Sequence, residues 1–309
     1  MVIIFSHYGH SSYLDYTLAC AKMTNPNARL IFLGDEANKH VAEKNGWEHY
    51  SYINYESVFQ QRFRDVFKHV QGRQHAHIKN GKDWLRYVFE RWFYIEGFLK
   101  KEGIKKFWHF DSDTMIIQSL NEHEEELSEY DFTVQCNGTC LNGLIGTQTV
   151  SEFCEHICSL FESKTYIENQ QHEFNTINPR YAFTEMRAFA DYKYRTSKKW
   201  LHLLFYKENK VFDDALCQDH GFNIIKLPIG KTVKQVYFKE GIAYGVRDHK
   251  EIQFVTLNLS WLPDYIFRWA LKMIQFKSTG SVDRAQCPIY DRLFGIGKNI
   301  KTYLTRKIV

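Results

Sequence analysis

Val2-Ile3-Ile4-Phe5 is an apolar run with no polar alternation, the pattern of a short strand buried on both faces. Leu14, Leu18 and Ala21 then recur at helical spacing until Asn25-Pro26-Asn27 stops the pattern. A second apolar run, "RLIFLGDE" (29–36), ends at Gly34-Asp35. Strand, helix and strand within about 35 residues predict a βαβ unit, right-handed by default. Residues 56–80 are polar, helical in part, and include a basic, His-rich stretch (68–82). The strongest helical signal lies at 84–103, where Leu85, Val88, Phe89, Trp92, Ile95 and Leu99 share a face and Gly103 follows a basic last turn. "KKFWHFDSDTMII" (105–117) reads as strand, acidic turn, strand. "FTVQ" (132–135) and "LNGLIGT" (141–147) predict two more strands, and "VSEFCEHICSLF" (150–161) an amphipathic helix. Residues 165–200 show no consistent period, while "GFNIIKLP" (221–228) and "IQFVTLNLSWLP" (252–263) read as late strands. This alternation places the chain in the α/β class. With no internal repeat and no linker-like stretch, one domain over 1–261 followed by a segment at 262–309 is the economical division.

A chain of 309 residues can bury about three quarters of its unfolded surface. Aromatics at 16% with only 5 Pro and 17 Gly argue against disorder. A net charge of +4 is too mild for a nucleic-acid binder, so no nucleic-acid partner is expected. That charge is unevenly placed: 262–309 holds nine Lys or Arg against three Asp, leaving 31 basic and 33 acidic residues upstream. Seven scattered cysteines, no visible signal peptide and no window of eighteen apolar residues lead to the expectation of a reduced, cytoplasmic protein without a spanning helix.

Within the apolar stretch at 105–117, Asp111 and Asp113 stand one residue apart. Like charges there help no core. Placed after a buried strand they would reach the carboxyl edge of a parallel sheet, where ligands bind in open α/β folds. Residues i and i+2 of an extended segment point the same way, so both carboxylates could approach one hard divalent ion completed by substrate phosphates. "FDSDTM" (110–115) also matches the D-x-D-x-T signature of haloacid-dehalogenase-type phosphatases, in which Asp111 would be the nucleophile. In that family the motif sits on the first strand, whereas two apolar runs and a long helix precede it here.

The run "ERWFYIEGFLKKEGIKKFWHFDSDTMII" (90–117) resembles the D-x-D segment of GT-A glycosyltransferases that use nucleotide sugars. The resemblance implies a Rossmann-like, mostly parallel sheet flanked by helices, and Mn2+ or Mg2+ held by Asp113 and Asp111. It implies that Ser6, His7 and Tyr8 line the nucleotide pocket, with Asp35 near the base or ribose. Arg91 would face the diphosphate or steady the acidic pair; its alternative is a helix-surface ion pair with Glu90 or Glu96. Where members of this fold place a late metal-binding His, this chain offers Asn258 and Ser260, and the nearby His249 reads as a surface residue. The implied donor is a nucleoside-diphosphate sugar, with UDP the first candidate, and the implied acceptor a glycan or lipid-linked sugar in bacterial surface polysaccharide assembly. A sugar-nucleotide-binding protein without turnover is the non-enzymatic alternative.

On the acceptor side, Asn142 and Gly143 either shape the donor and acceptor pocket or make an Asn-Gly hairpin turn. An inverting mechanism needs a general base. Glu185, in an acidic-Met pair similar to one in some bacterial sugar transferases, is the first candidate, ahead of Asp191, Asp213 and Asp214. Cys136 and Cys140, like Cys154 and Cys158, are spaced C-x3-C, which structural zinc allows; small buried hydrophobes are the simpler reading. "LPDYIFRWALKMIQFK" (262–277) is aromatic and basic. It fits either a helix lying at an anionic membrane surface or one packed on the domain with a basic outer face.

Overall fold

In the computed structural model, which describes residues 1–72, 81–180 and 182–285, the apolar runs become strands and helices in the expected alternation. In chain order these are β1 (Val2–Ser6), α1 (Leu14–Thr24), β2 (Arg29–Gly34), α2 (Glu36–Lys44), β3 (Glu48–Ser51), α3 (Gln60–Val66) and α4 (Gly81–Glu102). Then come β4 (Lys106–His109), β5 (Thr114–Ile116), α5 (Asn121–Leu127), β6 (Phe132–Gln135), β7 (Cys140–Gly146), α6 (Thr147–Glu162), α7 (Lys164–Thr176) and α8 (Glu185–Arg195). The last are β8 (Trp200–His202), β9 (Lys210–Phe212), β10 (Ile224–Lys226), β11 (Thr232–Lys234), β12 (Tyr237–Lys239), β13 (Ile242–Arg247), β14 (Lys250–Asn258), α9 (Asp264–Gln275) and β15 (Gly280–Ser281). Positions 73–80 of the His-rich stretch and 286–309 of the basic C-terminal segment lie outside the described residues.

The chain falls into two compact units. The first comprises Met1–Ser11, Asn27–Asp111 and His123–His202; the second comprises Ser12–Pro26, Ser112–Glu122 and the chain from Leu203 on.

The first unit holds a seven-stranded sheet of order β3-β2-β1-β4-β7-β6-β8. Parallel pairing joins β3, β2, β1 and β4, and again β6 and β8; β7 is antiparallel to both its neighbours, so it alone runs against the rest. The class is therefore α/β, with a mostly parallel sheet flanked by helices. Ile3, Ile4 and Phe5 of β1 are fully buried, as a strand covered on both faces requires. The face of α4 read from the sequence packs as expected, and Phe93 and Phe98 are buried as well. Aromatic contacts fill this core: Phe63 stacks on Phe93 at 4.8 Å, and Phe89 meets Phe161 edge-on at 5.1 Å. The stretch without a period, 165–200, contains α7 and α8. Helix α7 buries only Ile167 and Phe174, too few apolar anchors to mark a face.

The second unit is built on an antiparallel run, β15-β12-β13-β14-β5, with β9 added parallel to β14. Met115, Phe238, Phe254 and Leu257 line its core together with Ile266 and Phe267 of α9. Tyr13, just before α1, stacks on Phe267 at 5.2 Å. Tyr265, Ile266, Phe267, Trp269 and Ala270 are thus buried within the fold. An interfacial helix would need that face free. In α9 the packed-helix alternative is the one observed, with Arg268 and Lys272 left outside.

Candidate functional site

Strands β2, β1 and β4 are parallel neighbours, so their carboxyl ends share one edge of the first unit's sheet. That edge carries His7 and Tyr8 after β1, Asp35 after β2 and Asp111 after β4. From β1 the chain goes to β2 and β3 on one side, while β4 lies on the other. The gap between β1 and β4 is therefore a topological switch point, the usual ligand crevice of an open α/β sheet.

The loops at this edge are tied together by Asn38. Its Oδ1 accepts from the Asp35 N–H at 2.9 Å, and its Nδ2 donates to the carbonyls of His7 at 3.1 Å and Gly9 at 2.8 Å. The amide lies against Gly34, where an added Cβ would come within 2.0 Å of Asn38 Oδ1. Asp35 caps α2: its Oδ1 accepts from Ala37 N–H, and its Oδ2 from Gly9 N–H at 2.7 Å. The carboxylate expected near the base or ribose is thus already holding backbone. Ser6 Oγ and Tyr87 Oη are hydrogen-bonded at 2.7 Å, and the exposed Tyr8 ring leans on Tyr87 at 5.3 Å. Burial pushes the His7 imidazole down to about 4, which keeps it neutral at pH 7.

Arg91 organises the polar centre of the edge. Its Nη1 donates to Asp111 Oδ1 and its Nη2 to Glu185 Oε1, both at 2.8 Å. The alternative ion pairs are absent because Glu90 is engaged by Arg86 and Arg64, and Glu96 by Lys100. Burial acts to raise the Asp111 carboxyl, but Arg91, His109 and the Asn142 amide together outweigh it and hold the pKa below the ordinary range. Glu185, in the first turn of α8, is raised to about 7: burial dominates, Arg91 opposes it and Asp111 adds to it. Asp191 lies elsewhere on α8, paired with Arg195 and His156.

Asn142 and Gly143 lie within β7, and Gly143 faces His109 of β4 in register. The Asn-Gly turn reading fails for this pair: the β6–β7 turn is made by Cys136, Asn137 and Gly138, at φ of 53°, 56° and 75°. Asn142 Nδ2 instead reaches Asp111 Oδ2 at 3.4 Å. The same turn brings Cys136 and Cys140 to Asp111, with one ligand atom from each within 4.8 Å of the others. Two thiols and a carboxylate suit a borderline-soft ion such as zinc better than Mg2+ or Mn2+. Cys154 and Cys158 are not part of this group; both are buried in the core on α6.

In the second unit Asp113 lies in the Ser112-Asp113 turn that precedes β5, so the extended-strand argument for a shared face does not apply. Ser260 Oγ donates to Asp113 Oδ2 at 2.8 Å, and the Ser260 backbone N–H donates to Asn258 Oδ1 at 3.1 Å. Asn258 and Ser260, which stand where a late His was expected, are thus hydrogen-bonded to each other, and Ser260 to Asp113. Asn258 N–H donates to Asp213 Oδ2 at 3.1 Å. Asp213 is fully buried and paired with fully buried Lys234 at 2.7 Å, whose Nζ also lies 3.0 Å from His220 Nδ1. Asp213 is thereby engaged as a counter-ion, and Asp214 is buried beside it in sequence. His249 is exposed in the β13–β14 turn, as expected.

Sequence reasoning missed Tyr87, Asn38 and the Cys136–Cys140 neighbourhood of Asp111. Tyr87 lies in the strongest helical stretch, and Asn38 three residues after Asp35 is a capping-box signature that was legible.

No protein-family model and no curated protein sequence matches the chain. Among solved structures, mouse xyloside xylosyltransferase 1 in its apo form is similar over 65% of this chain and 84% of its own, at 10% identity and a TM-score of 0.42. A cytidylyltransferase from Leptospira borgpetersenii serovar Hardjo-bovis is similar over 65% and 74%, at 12% identity and a TM-score of 0.32. The glycosyltransferase GlyE of Streptococcus pneumoniae TIGR4 is similar over 65% and 44%, at 11% identity and a TM-score of 0.29. Likenesses of this degree decide neither activity nor substrate.

Proposed function

We propose that the chain is a glycosyltransferase that moves a sugar from a nucleoside-diphosphate donor, UDP-linked in the first instance, to a glycan or lipid-linked acceptor. The observation that carries this reading is the Arg91 centre: a buried guanidinium gripping Asp111 and Glu185 at the switch-point edge of a mostly parallel sheet. Tyr8, exposed on Tyr87, offers a ring face to the nucleotide base. Neutral His7 can hydrogen-bond without repelling a cation. Arg91 fixes one oxygen of Glu185, and the raised pKa suits that carboxylate to take the proton of an acceptor hydroxyl near neutral pH.

That Asp111 and Asp113 would hold Mn2+ or Mg2+ is the part of the reading that rests only on the resemblance of the D-x-D segment at 90–117. When bound, the ion would offset charge on the leaving diphosphate. A cytoplasmic site of action, peripheral to an anionic membrane through 262–309, completes the reading, resting on the uneven charge of the sequence.

The test is a UDP titration with and without Mn2+, followed by hydrolysis of UDP-sugars, on the wild type and Asp113→Ala. Metal-dependent binding with slow sugar release, reduced about a hundredfold or more in the variant, is the expected result. Phosphate-monoester hydrolysis without nucleotide preference would instead assign Asp111 as a phosphatase nucleophile. Binding without turnover would leave a sugar-nucleotide-binding protein.

A further inference from the structure

The second unit contains a cavity of about 510 Å³ between α9 and the β15 region, lined by none of the candidate-site residues. Arg268 and Lys272, on one face of α9, and Arg284, in the turn after β15, line it together with Thr279, Ser281 and the nearly buried Trp269. Among the described residues no carboxylate is paired with any of these three cations, although Asp264 and Asp283 lie on the same elements. Arg268 and Lys272 stand at i and i+4, where like charges on a helix oppose each other. Lys272, in the last turn, is compensated by the helix dipole. Arg268 in mid-helix and Arg284 across the cavity have no such compensation. Three cations, two hydroxyl-bearing residues and an aromatic side chain lining one cavity suit a polyanion with an apolar or ring-bearing part.

We propose that this cavity binds a phosphate-bearing ligand, its phosphate held by Arg268, Lys272 and Arg284 and its adjoining apolar part against Trp269. Two sources share that chemistry: a soluble phosphate ester, and the headgroup of an anionic lipid. With the apolar face of α9 packed into the core, a lipid would be held by its headgroup and not by an inserted helix.

The full chain is titrated calorimetrically with sodium pyrophosphate, without divalent metal or nucleotide, and separately sedimented with vesicles of phosphatidylglycerol or of phosphatidylcholine alone. Because no donor or metal is present, the outcome is independent of whether the protein transfers sugar. Binding of pyrophosphate, of phosphatidylglycerol vesicles or of both is expected. It should weaken at least tenfold in Arg268→Gln/Lys272→Gln and in Arg284→Gln, and fall with added salt. Lys164→Gln, a solvated cation on α7, should bind as the wild type does. Pyrophosphate binding without vesicle binding points to a soluble ester, and the reverse to a lipid headgroup. The proposal is overturned if neither probe binds, or if the cavity variants bind like the wild type. The altered side chains are solvent-exposed, so the variants should keep the wild-type melting temperature. Should the double variant fail to fold, Arg284→Gln alone decides.

Discussion

Arg91 is 11% exposed and serves two carboxylates, Asp111 at 25% and Glu185 at 10%. One guanidinium against two carboxylates leaves a formal charge of −1 in a poorly solvated place. Burial resists that charge, and the less favoured carboxylate answers by holding its proton to higher pH. Asp111 keeps the low pKa because it has the stronger share of Arg91, and Glu185 takes the raised one. If Glu185 is the general base, it works only when ionised. Activity should then rise with pH through about 7. Glu185→Gln should lower kcat by about 10²–10⁴ with little change in KM and abolish that rise, as read from kcat across pH 5.5–9. A Gln variant with wild-type kcat and an unchanged acid limb would assign the base elsewhere. Arg91→Lys should not substitute, because a single ammonium cannot present a planar fork to two partners; a melting temperature several degrees lower is expected.

At the scale of elements, buried polar groups collect where strands end. Asp213 follows β9, Lys234 closes β11 and Asn258 closes β14, and the three join in one buried polar cluster in the second unit. Removing one charge strands the other. Lys234→Met should cost about 3–5 kcal/mol in chemical denaturation, and adding Asp213→Asn should recover part of the loss. Equal stability of the single and double variants would mean that the pair is not coupled. These ends also mark what the sequence could reveal. Strands β1 and β2 were legible as nearly unbroken apolar runs, β4 and β14 from the apolar residues at their centres, and α4 because its apolar spacing persists over about four turns. Strand β3, Glu48–Ser51, was not: it carries no fully buried residue and is held by pairing to β2. The partner of Arg91 was undecidable for a related reason. Local spacing offered Glu90 and Glu96, whereas Asp111 and Glu185 are 20 and 94 residues away and meet it only once the sheet has formed. The D-x-D was visible as a motif. Its surroundings, Cys136 and Cys140 beside Asp111 and Ser260 on Asp113, follow from register and turn geometry that no local pattern encodes.

For the molecule as a whole, pH sets both charge and stability. His7 has a folded-state pKa of about 4 against 6.5 in an unfolded chain, because burial disfavours its charged form. Above pH 6.5 the residue is neutral in both states and has no effect. As pH falls below 6.5, the unfolded chain takes up a proton that the folded chain refuses, and stability drops by up to about 1.4 kcal/mol per pH unit. Near pH 4 the folded form is protonated too and the loss levels off, at about 3 kcal/mol in all. His109, lowered to about 4 by burial, and His156, lowered by burial against the pull of Asp191, add to the same slope, whereas Glu185, raised to about 7, opposes part of it between pH 7 and 4.5. At the other end, the sequence pI of about 8.5 places minimum net charge, and hence minimum colloidal repulsion, just above the working range. Urea denaturation at fixed ionic strength should show stability flat from pH 7 to 8 and falling from pH 6.5 towards 4.5. His7→Gln should flatten a measurable part of that fall and leave the pH 7.5 value within about 1 kcal/mol of wild type. A His7→Gln curve parallel to wild type across pH 4.5–6.5 would show that the imidazole is solvated in the folded state, and with it that the carboxyl edge of β1 is open to water.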